Sequence, residues 1–365
     1  MVYKVIGLMS GSSMDGLDIV YTQLEEVRGA WTFEIIHADC IPYTDEWVNA
    51  LEYISTKSVQ EFLRLDTAYG RYLGEQVMRF IEQYDIDHKV HFIASHGHTI
   101  MHEPKQQTTC QIGNGAMIAA LTGLPVIDNL RALDVALGGQ GAPIVPIGDK
   151  LLFGNYEYCL NIGGICNITI QNQNKLLAFD VCPANQVLNR LAKNEGKDMD
   201  EDGAIAAEGN ILLDVLTELN DRQYYKQIGP KSLGNEEARD LVFPILLESG
   251  HSNADMLRTM VEHIADQVAA AVRLYPTQAD AHMLVTGGGA FNKFLMEQLH
   301  KALLPLNVTV TIPDDSIVKY KEGLVMALIG ALRWREENTV LSDVTGATKD
   351  SVGGTIWMGQ GYNGG

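Results

Sequence analysis

The pattern of apolar and polar positions predicts strands that alternate with helices. Apolar runs of strand length open the chain, and others follow a long amphipathic segment. These predicted strands are Val2–Ile6, Leu17–Thr22, Thr32–Ala38, His91–Ser95 and Pro125–Ile127. A long helix is predicted after Ser58, because Ser58 and Glu61 have the capping-box spacing and apolar residues then recur at helical intervals up to Phe80. This alternation indicates an α/β architecture.

The second half of the chain has the same organisation. An apolar strand, a glycine turn and a second apolar strand are predicted over Cys159–Ile170, and a further strand over Leu176–Val181. Helical periodicity extends over Asp255–Leu274, and the run His282–Val285 leads into Thr286–Gly289 and a new helix. A strand–glycine turn–strand unit therefore occurs once in each half, which predicts two related domains.

The first of these glycine turns, Gly7–Asp18, is also rich in hydroxyl side chains. Such a turn presents peptide N–H groups and small hydroxyls, which favours an anion as ligand. Asp15 and Asp18 would repel a phosphate, so we expect a cation with it, and a nucleoside triphosphate with Mg²⁺ satisfies both conditions. One glycine cluster alone is more often a tight turn, but three at strand ends favour phosphate binding. None has the sequence of a P-loop or a complete dinucleotide fingerprint.

Length and charge narrow the class of protein. A chain of 365 residues predicts two domains, and a composition of 46% hydrophobic and 20% charged residues is typical of globular proteins. The formal charge of −19 argues against nucleic acid and anionic membranes as partners. We expect no leader peptide and no membrane-spanning run, and the five cysteines lack metal-ligand spacing. We therefore expect a cytoplasmic protein with reduced thiols.

Two aspartates are candidates for proton transfer. Asp180 ends an apolar run, and Asp134 follows Arg131 in a segment rich in glycine. An aspartate at the end of a buried strand combines reach with partial desolvation, as a general base requires. The alternatives are a helix cap for Asp180 and a surface ion pair for Asp134, and both stay open at this point.

Three histidines, His96, His98 and His102, fall close together. Alternate residues of a strand share a face, so a His-x-His pair can bind zinc. Further metal ligands are not evident in the sequence, which favours contacts with a polar substrate. A structural role stays open for His102.

Together these segments resemble the anhydro-N-acetylmuramic acid kinase family, within the sugar kinase/Hsp70/actin superfamily. The matching motifs occur in order along nearly the whole chain: Gly7–Asp18, His96–Pro104, Arg131–Pro143, Leu160–Asn167, Pro230–Glu236, Gly287–Asn292 and Val344–Ala347. The resemblance implies a two-domain actin-like, ribonuclease H-like α/β ATPase fold with a nucleotide cleft between the domains. The domains it implies are 1–135, with a return over about 344–365, and 136–343.

The resemblance also implies a reaction in peptidoglycan recycling. Water attacks the anomeric carbon of 1,6-anhydro-N-acetylmuramic acid while O6 takes the γ-phosphate of ATP, which gives N-acetylmuramate 6-phosphate and ADP. Asp180 is the implied catalytic base, and Asp134 is the next candidate. The implied ATP contacts are Gly11, Ser12, Ser13, Met14, Asp15, Gly16, Leu17, Asp18, Gly163, Gly164, Gly287 and Gly288. The implied sugar and phosphate contacts are His96, Thr99, Arg131, Asp134 and Glu322. Mg²⁺ is an expected cofactor without assigned ligands, and a homodimer is a family-level expectation.

The chain departs from the family pattern near the implied base. Cys182 and Ala184 replace glycines, and Asn189 replaces an aspartate, whereas Asp180 and Asn185 are retained. We therefore expect phosphoryl transfer to persist. Two alternatives are a kinase of the same fold with another sugar or amino sugar as substrate, and an actin- or Hsp70-like ATPase whose domain closure drives a partner. The second is disfavoured, because the sequence contains no separate peptide-binding module.

Overall fold

The structure is a computed structural model, and it describes residues 1–11, 14–172, 175–248 and 250–360. Strands and helices alternate along the chain, as the apolar pattern predicts. Within the described residues the strands are β1 (Val2–Ser10), β2 (Gly16–Val27), β3 (Ala30–Pro42), β4 (Phe92–Ser95), β5 (His98–Glu103), β6 (Thr108–Ile112), β7 (Val126–Asp128), β8 (Tyr158–Ile162), β9 (Ile165–Asn172), β10 (Lys175–Pro183), β11 (Ala281–Thr286), β12 (Val308–Thr311) and β13 (Thr355–Trp357).

The predicted helices are confirmed, and shorter ones accompany them. In chain order the helices of the described ranges are α1 (Asp45–Glu52), α2 (Val59–Gln83), α3 (Gly115–Thr122), α4 (Ala132–Ala136), α5 (Pro146–Leu152), α6 (Asn185–Lys193), α7 (Ala204–Glu208), α8 (Leu213–Asn220), α9 (Asn235–Glu248), α10 (Asn253–Leu274), α11 (Lys293–Leu303), α12 (Asp315–Trp334) and α13 (Ser342–Thr345). The capping box predicted at Ser58 and Glu61 begins α2. Among these helices, none combines the length and apolar character needed to cross a lipid bilayer.

The chain divides into two compact units. The first consists of Met1–Leu152 together with the chain from Tyr320 onward, and the second is Phe153–Lys319. The first unit contains a six-stranded sheet with the strand order β13-β7-β4-β1-β2-β3. Its strands β1, β2 and β3 form an antiparallel meander, and β4 and β7 follow in parallel on the other side of β1. The apolar side of α2 shares one core with this sheet.

The second unit repeats this strand arrangement. Its five-stranded sheet has the order β10-β9-β8-β11-β12, in which β8, β9 and β10 form the meander and β11 and β12 are the parallel strands. The predicted apolar face of α10 is buried in the core of this unit. That face comprises Leu257, Val261, Ile264, Val268 and Val272. The strand–turn–strand unit seen in each half of the sequence is therefore the first hairpin of each sheet.

The domain boundaries predicted from the sequence differ from those of the structure. The resemblance places residues 136–152 and 320–343 in the second domain, but they lie in the first unit. Close packing explains this: a Cβ at Gly330 of α12 would lie 2.6 Å from the Cβ of Ala94 on β4. In addition, Lys321 of α12 and Asp149 of α5 form a buried ion pair with an N–O distance of 2.7 Å. Both helices are therefore attached to the first sheet.

Candidate active site

The carboxyl ends of two adjacent parallel strands in the second unit carry glycine turns. Strands β8 and β11 pair up to Asn161 and Thr286, and the chain then continues into Gly163–Gly164 and Gly287–Gly288 respectively. A Cβ at Gly164 would meet only Gln186, at 3.8 Å, so the space beside this turn is open. Ligands of α/β sheets bind beyond the carboxyl ends of the parallel strands. The structure thus brings four of the predicted ATP-binding glycines to one edge of one sheet.

The first of these turns is attached to the beginning of α6. The N–H of Ala184 donates to the carbonyl of Gly164 over 2.9 Å, and the N–H of Asn185 donates to that of Gly163 over 3.0 Å. The side-chain amide of Asn185 also donates to the carbonyl of Ile162, at 3.0 Å. These bonds fix the end of β10, and hence the region of the predicted base, to the glycine turn.

Asp180 lies on β10 opposite Asn167 of β9. Its Oδ2 accepts a hydrogen bond from the N–H of Leu233 at 2.8 Å, and no residue of the described ranges donates to Oδ1. Burial raises the pKa of Asp180 to about 6, and the hydrogen bond from Leu233 opposes this rise. The helix-cap alternative is wrong, because the N-cap of α6 is Ala184 and no side chain caps it. Asp180 therefore has the properties of a base that works near neutral pH.

The predicted ATP loop of the first unit is shorter than the sequence pattern suggests. Gly16, Leu17 and Asp18 already belong to β2, and the side chain of Leu17 is buried in the core. Gly16 is required by packing, since a Cβ there would lie 2.6 Å from the carbonyl oxygen of Ile41 on β3. The side chain of Leu17 is therefore part of the core, and the ATP contact predicted for this residue stays a prediction. Ser12 and Ser13 lie outside the described residues.

The remainder of this turn carries acidic groups and a left-handed residue. Met14 has φ of 55°, and its N–H donates to the carbonyl of Gly11 over 3.3 Å. Asp15 is exposed, whereas Asp18 is partly buried. Burial raises the pKa of Asp18 to about 6, a hydrogen bond from Cys40 opposes this, and the carboxylates of Glu322 and Asp15 raise it further. Asp18, Asp15 and Glu322 thus form an acidic group in the first unit.

These acidic groups bear on the question of a metal ion. In the ranges that the structure describes, no three His, Cys, Asp or Glu residues are arranged to hold a metal. Mg²⁺ in phosphotransfer sites is usually bound by one or two carboxylates, with phosphate and water as further ligands. Asp18 and Glu322 fit this requirement: after burial, the charge of Glu322 contributes to the raised pKa of Asp18, and a cation beside the two carboxylates would relieve that repulsion.

Arg131 links the acidic group to His96. Its Nε donates to Nε2 of His96 at 2.9 Å, and its Nη1 donates to the carbonyl of Gly141. Because a guanidinium can only donate, His96 is neutral, and its Nδ1–H donates to the carbonyl of Gly97 at 2.9 Å. Burial, and then the charge of Arg131, lowers the pKa of His96 to about 3. Burial also lowers the pKa of Arg131 to about 10, and Glu322 and Asp134 oppose this.

Asp134 is buried and fully paired. Its Oδ2 accepts a hydrogen bond from the N–H of Gly141 and its Oδ1 accepts one from the hydroxyl of Thr345, each at 2.7 Å. The side chain is 1% exposed, so the surface ion-pair alternative is wrong. Asp134 fixes the same residue, Gly141, whose carbonyl receives Arg131. Asp134 thus holds the residue whose carbonyl accepts the hydrogen bond from Arg131.

The other residues of the histidine motif make separate contacts. Nδ1 of His98 bonds the hydroxyl of Ser10 at 2.9 Å, which also accepts from Tyr43 at 2.8 Å. Nδ1 of His102 bonds the hydroxyl of Thr109 at 2.9 Å. Thr99 is exposed on the β5–β6 hairpin. The hydrogen bonds that connect His98, Ser10 and Tyr43 could not be predicted from the sequence, because these residues come from three separate segments.

Two sheets with the same strand arrangement and with glycine turns at strand ends define an actin-like nucleotide-binding fold. The particular family follows from comparison: residues 3–359 match the anhydro-N-acetylmuramic acid kinase family, and the chain belongs to this family.

Relatives over the full length agree with this. The anhydro-N-acetylmuramic acid kinase of Hydrogenovibrio crunogenus is 32% identical over 368 residues, which cover 96% of this chain and 97% of that protein. The corresponding kinase of Idiomarina loihiensis is 33% identical over 364 residues, covering 96% and 98%. Component A of (R)-2-hydroxyglutaryl-CoA dehydratase from Acidaminococcus fermentans aligns with 89% of this chain and 96% of its own, at 13% identity and a TM-score of 0.46. That similarity is too low to bear on activity.

Proposed function

We propose that this chain is an ATP-dependent kinase that opens 1,6-anhydro-N-acetylmuramic acid with water and phosphorylates O6, which yields N-acetylmuramate 6-phosphate and ADP for the recycling of peptidoglycan. The observation that carries the proposal, beyond family membership, is the state of Asp180. One carboxylate oxygen is held by a peptide N–H, the other has no donor in the described part of the chain, and burial raises the pKa to about 6.

Asp180 acts as general base in this proposal. Oδ1 takes a proton from the water that attacks the anomeric carbon, while the hydrogen bond from Leu233 to Oδ2 holds the carboxylate in one orientation. A base with a pKa near 6 is ionised at neutral pH and still basic enough to accept a proton. The bond between the anomeric carbon and O6 breaks as the new bond to water forms. O6 then accepts the γ-phosphoryl group and ADP leaves.

The remaining residues supply position and charge. Phosphoryl transfer depends mainly on alignment and on neutralisation of the phosphate charge. We assign Gly163, Gly164, Gly287 and Gly288 to the nucleotide, because their turns lie at the carboxyl edge of one sheet. The turn from Gly11 to Asp15 is assigned to the phosphates on the sequence motif.

Mg²⁺ would neutralise phosphate charge, and Asp18 and Glu322 are the residues that would hold it. Asp15, next to them, is assigned to the same phosphate region.

Arg131 and Glu322 are the proposed contacts of the sugar and phosphates. Arg131 is oriented by His96 and by Gly141, so its guanidinium is preorganised. Asp134 is assigned a positioning role through Gly141. Thr99 is assigned to the sugar on the family motif alone. We place the reaction in the cytoplasm, since ATP is its co-substrate, and a homodimer stays an expectation that light scattering would test.

The test is a coupled assay of ADP release by the purified chain with ATP and Mg²⁺. We expect ADP only when the anhydro sugar is present, and a product whose mass equals that of the sugar plus water and one phosphoryl group. Release of ADP with another amino sugar but not with this one would favour the related-kinase alternative. ADP release without any sugar would favour an ATPase, and either result would overturn the proposal.

A further inference from the structure

A polar segment that precedes α9, residues 229–234, runs alongside Asp180. The N–H of Asp180 donates to the carbonyl of Lys231 at 3.0 Å, and the N–H of Leu233 donates to its carboxylate. The other end of the segment is held by Gly229, whose N–H donates to the hydroxyl of Tyr275 at 2.7 Å. The orientation of the Asp180 carboxylate therefore depends on where this segment lies.

The side chain of Lys231 is enclosed by aromatic rings. Its Nζ lies 4.4 Å from the ring centre of Tyr224, 5.8 Å from that of Tyr225 and 5.9 Å from that of Phe179. It donates to the carbonyl of Tyr224 at 3.1 Å. A cation at these distances is attracted to the ring faces, and the attraction increases when water is excluded. Water is partly excluded from the ammonium group, since burial lowers the pKa of Lys231.

Tyr224 closes the arrangement, because its hydroxyl donates to the carbonyl of Asp180 at 2.6 Å. Lys231 thus ties the turn that carries Tyr224 to the segment that carries Leu233, and both of these hold Asp180. The ring of Tyr225 is fixed in turn by His263, whose Nε2 lies 2.9 Å from its hydroxyl. The half-buried lysine thus lies among aromatic rings, two of which belong to tyrosines that are themselves hydrogen-bonded to Asp180 and His263.

We propose that Lys231 is a positioning residue for the general base: its ammonium group, held among Tyr224, Tyr225 and Phe179, keeps the Leu233 N–H on Oδ2 of Asp180 and leaves Oδ1 for the attacking water. The effect passes through the backbone, because the ammonium contacts rings and a carbonyl and not the carboxylate itself. This inference rests on the proposed role of Asp180 as the base.

Two substitutions separate the charge of Lys231 from its size. Lys231→Met removes the cation and the donor to Tyr224 but keeps a long apolar side chain, whereas Lys231→Arg keeps a cation that stacks on aromatic rings. Lys226→Met is the matched control, since Lys226 is an exposed lysine of the same region that forms a surface ion pair with Asp221. All variants are compared as full-length chains after circular dichroism has verified their fold.

We expect Lys231→Met to lower kcat by about tenfold or more, as a displaced catalytic group does, with the KM for ATP little changed. Loss of the Leu233 hydrogen bond also raises the pKa of Asp180, so the acid limb of the kcat profile moves to higher pH. Lys231→Arg and Lys226→Met should both keep the wild-type profile. A folded Lys231→Met variant with wild-type kcat and an unmoved acid limb would overturn the inference. Should that variant not fold, Lys231→Gln takes its place with the same expectations.

A measurement without substrate keeps this inference separate from the proposed function. Hydrogen exchange of the Leu233 amide should accelerate in Lys231→Met and stay at the wild-type rate in Lys231→Arg. If the wild-type chain shows no sugar-dependent ADP release, the proposed function fails, and the amide exchange alone decides whether Lys231 fixes the segment. Unchanged exchange in Lys231→Met would then refute the positioning role.

Discussion

Asp134 and Asp180 look alike in the sequence, since each lies near a strand end and close to turn residues, but their hydrogen bonding differs. Both oxygens of Asp134 have donors, one peptide N–H and one hydroxyl. Asp180 has a donor on Oδ2 and none on Oδ1 within the described residues. A fully paired carboxylate holds structure together, whereas a half-paired and desolvated one is ready to accept a proton.

Removal of the Asp180 charge is the largest expected effect on catalysis. Asp180→Asn cannot accept a proton from water, so we expect kcat to fall by about a thousandfold or more. ATP binding should persist, as isothermal titration would show. Asp240→Asn, an exposed aspartate of α9, is the matched control and should keep wild-type activity. Near-normal turnover in Asp180→Asn would mean that the base is another group, with Asp134 the next to test.

Removal of the Asp134 carboxylate tests whether this residue is structural, and the quantity measured is the free energy of unfolding. Asp134→Ala leaves the Gly141 N–H and the Thr345 hydroxyl without their acceptor, and we expect the free energy of unfolding to fall by about 2–4 kcal/mol. Urea denaturation measures this, with Asp87→Ala as the control for an exposed aspartate. A stability change within about 0.5 kcal/mol, the range of ordinary surface substitutions, would contradict the structural role.

Asp180→Asn is expected to increase the free energy of unfolding, whereas Asp134→Ala decreases it. Because burial raises the pKa of Asp180 from 3.8 to about 6, the ionised carboxylate destabilises the folded state above that pH. The variant should therefore be more stable than the wild type by about 2 kcal/mol at pH 8, after allowance for the partial exposure of the group. The gain should diminish as the pH falls through 6 and vanish below 3.8, where the carboxyl is protonated in both states. A gain that is independent of pH would contradict desolvation as its cause.

A smaller effect is expected at Arg131. Lysine cannot donate to His96 and to the Gly141 carbonyl with one planar group, so Arg131→Lys loses the orientation that Asp134 supports. We expect the KM for the sugar to rise about tenfold, which corresponds to about 1.4 kcal/mol, with a smaller change in kcat. Arg79→Lys on the exposed side of α2 is the control. An unchanged KM for the sugar in Arg131→Lys would mean that this arginine does not contribute to sugar binding.

The sequence predicted the local features of the fold well. The capping box of α2 and the buried face of α10 follow from spacing alone, because both depend on neighbours within a few residues. The burial of Asp134 could not be read in this way, since its partner Thr345 is 211 residues further along the chain. The strand predicted from Leu17 begins at Gly16 in the structure, because a glycine at a strand end is typical of a turn and does not show where β2 begins.

The support of Asp180 shows the same limit. The motif from Pro230 to Glu236 is visible in the sequence. Its contribution depends on hydrogen bonds to Asp180, which lies on a strand about fifty residues earlier in the chain. Tyr224 carries no motif at all, and only the fold brings its hydroxyl to the Asp180 carbonyl. Residues that act through another residue leave a weak pattern, because many side chains could occupy the same supporting position.

The central claim is that Asp180, ionised and half-paired, takes the proton from the attacking water. The pH dependence of kcat at saturating ATP and sugar tests it most directly, since it reports the ionisation of the base in the substrate complex. The account predicts a plateau at neutral pH and an acid limb with a midpoint near 6, where the Asp180 carboxyl titrates. A rate that stays constant from pH 7 down to about 4.5 would contradict it, because at the lower pH nearly all of the proposed base would be protonated without effect.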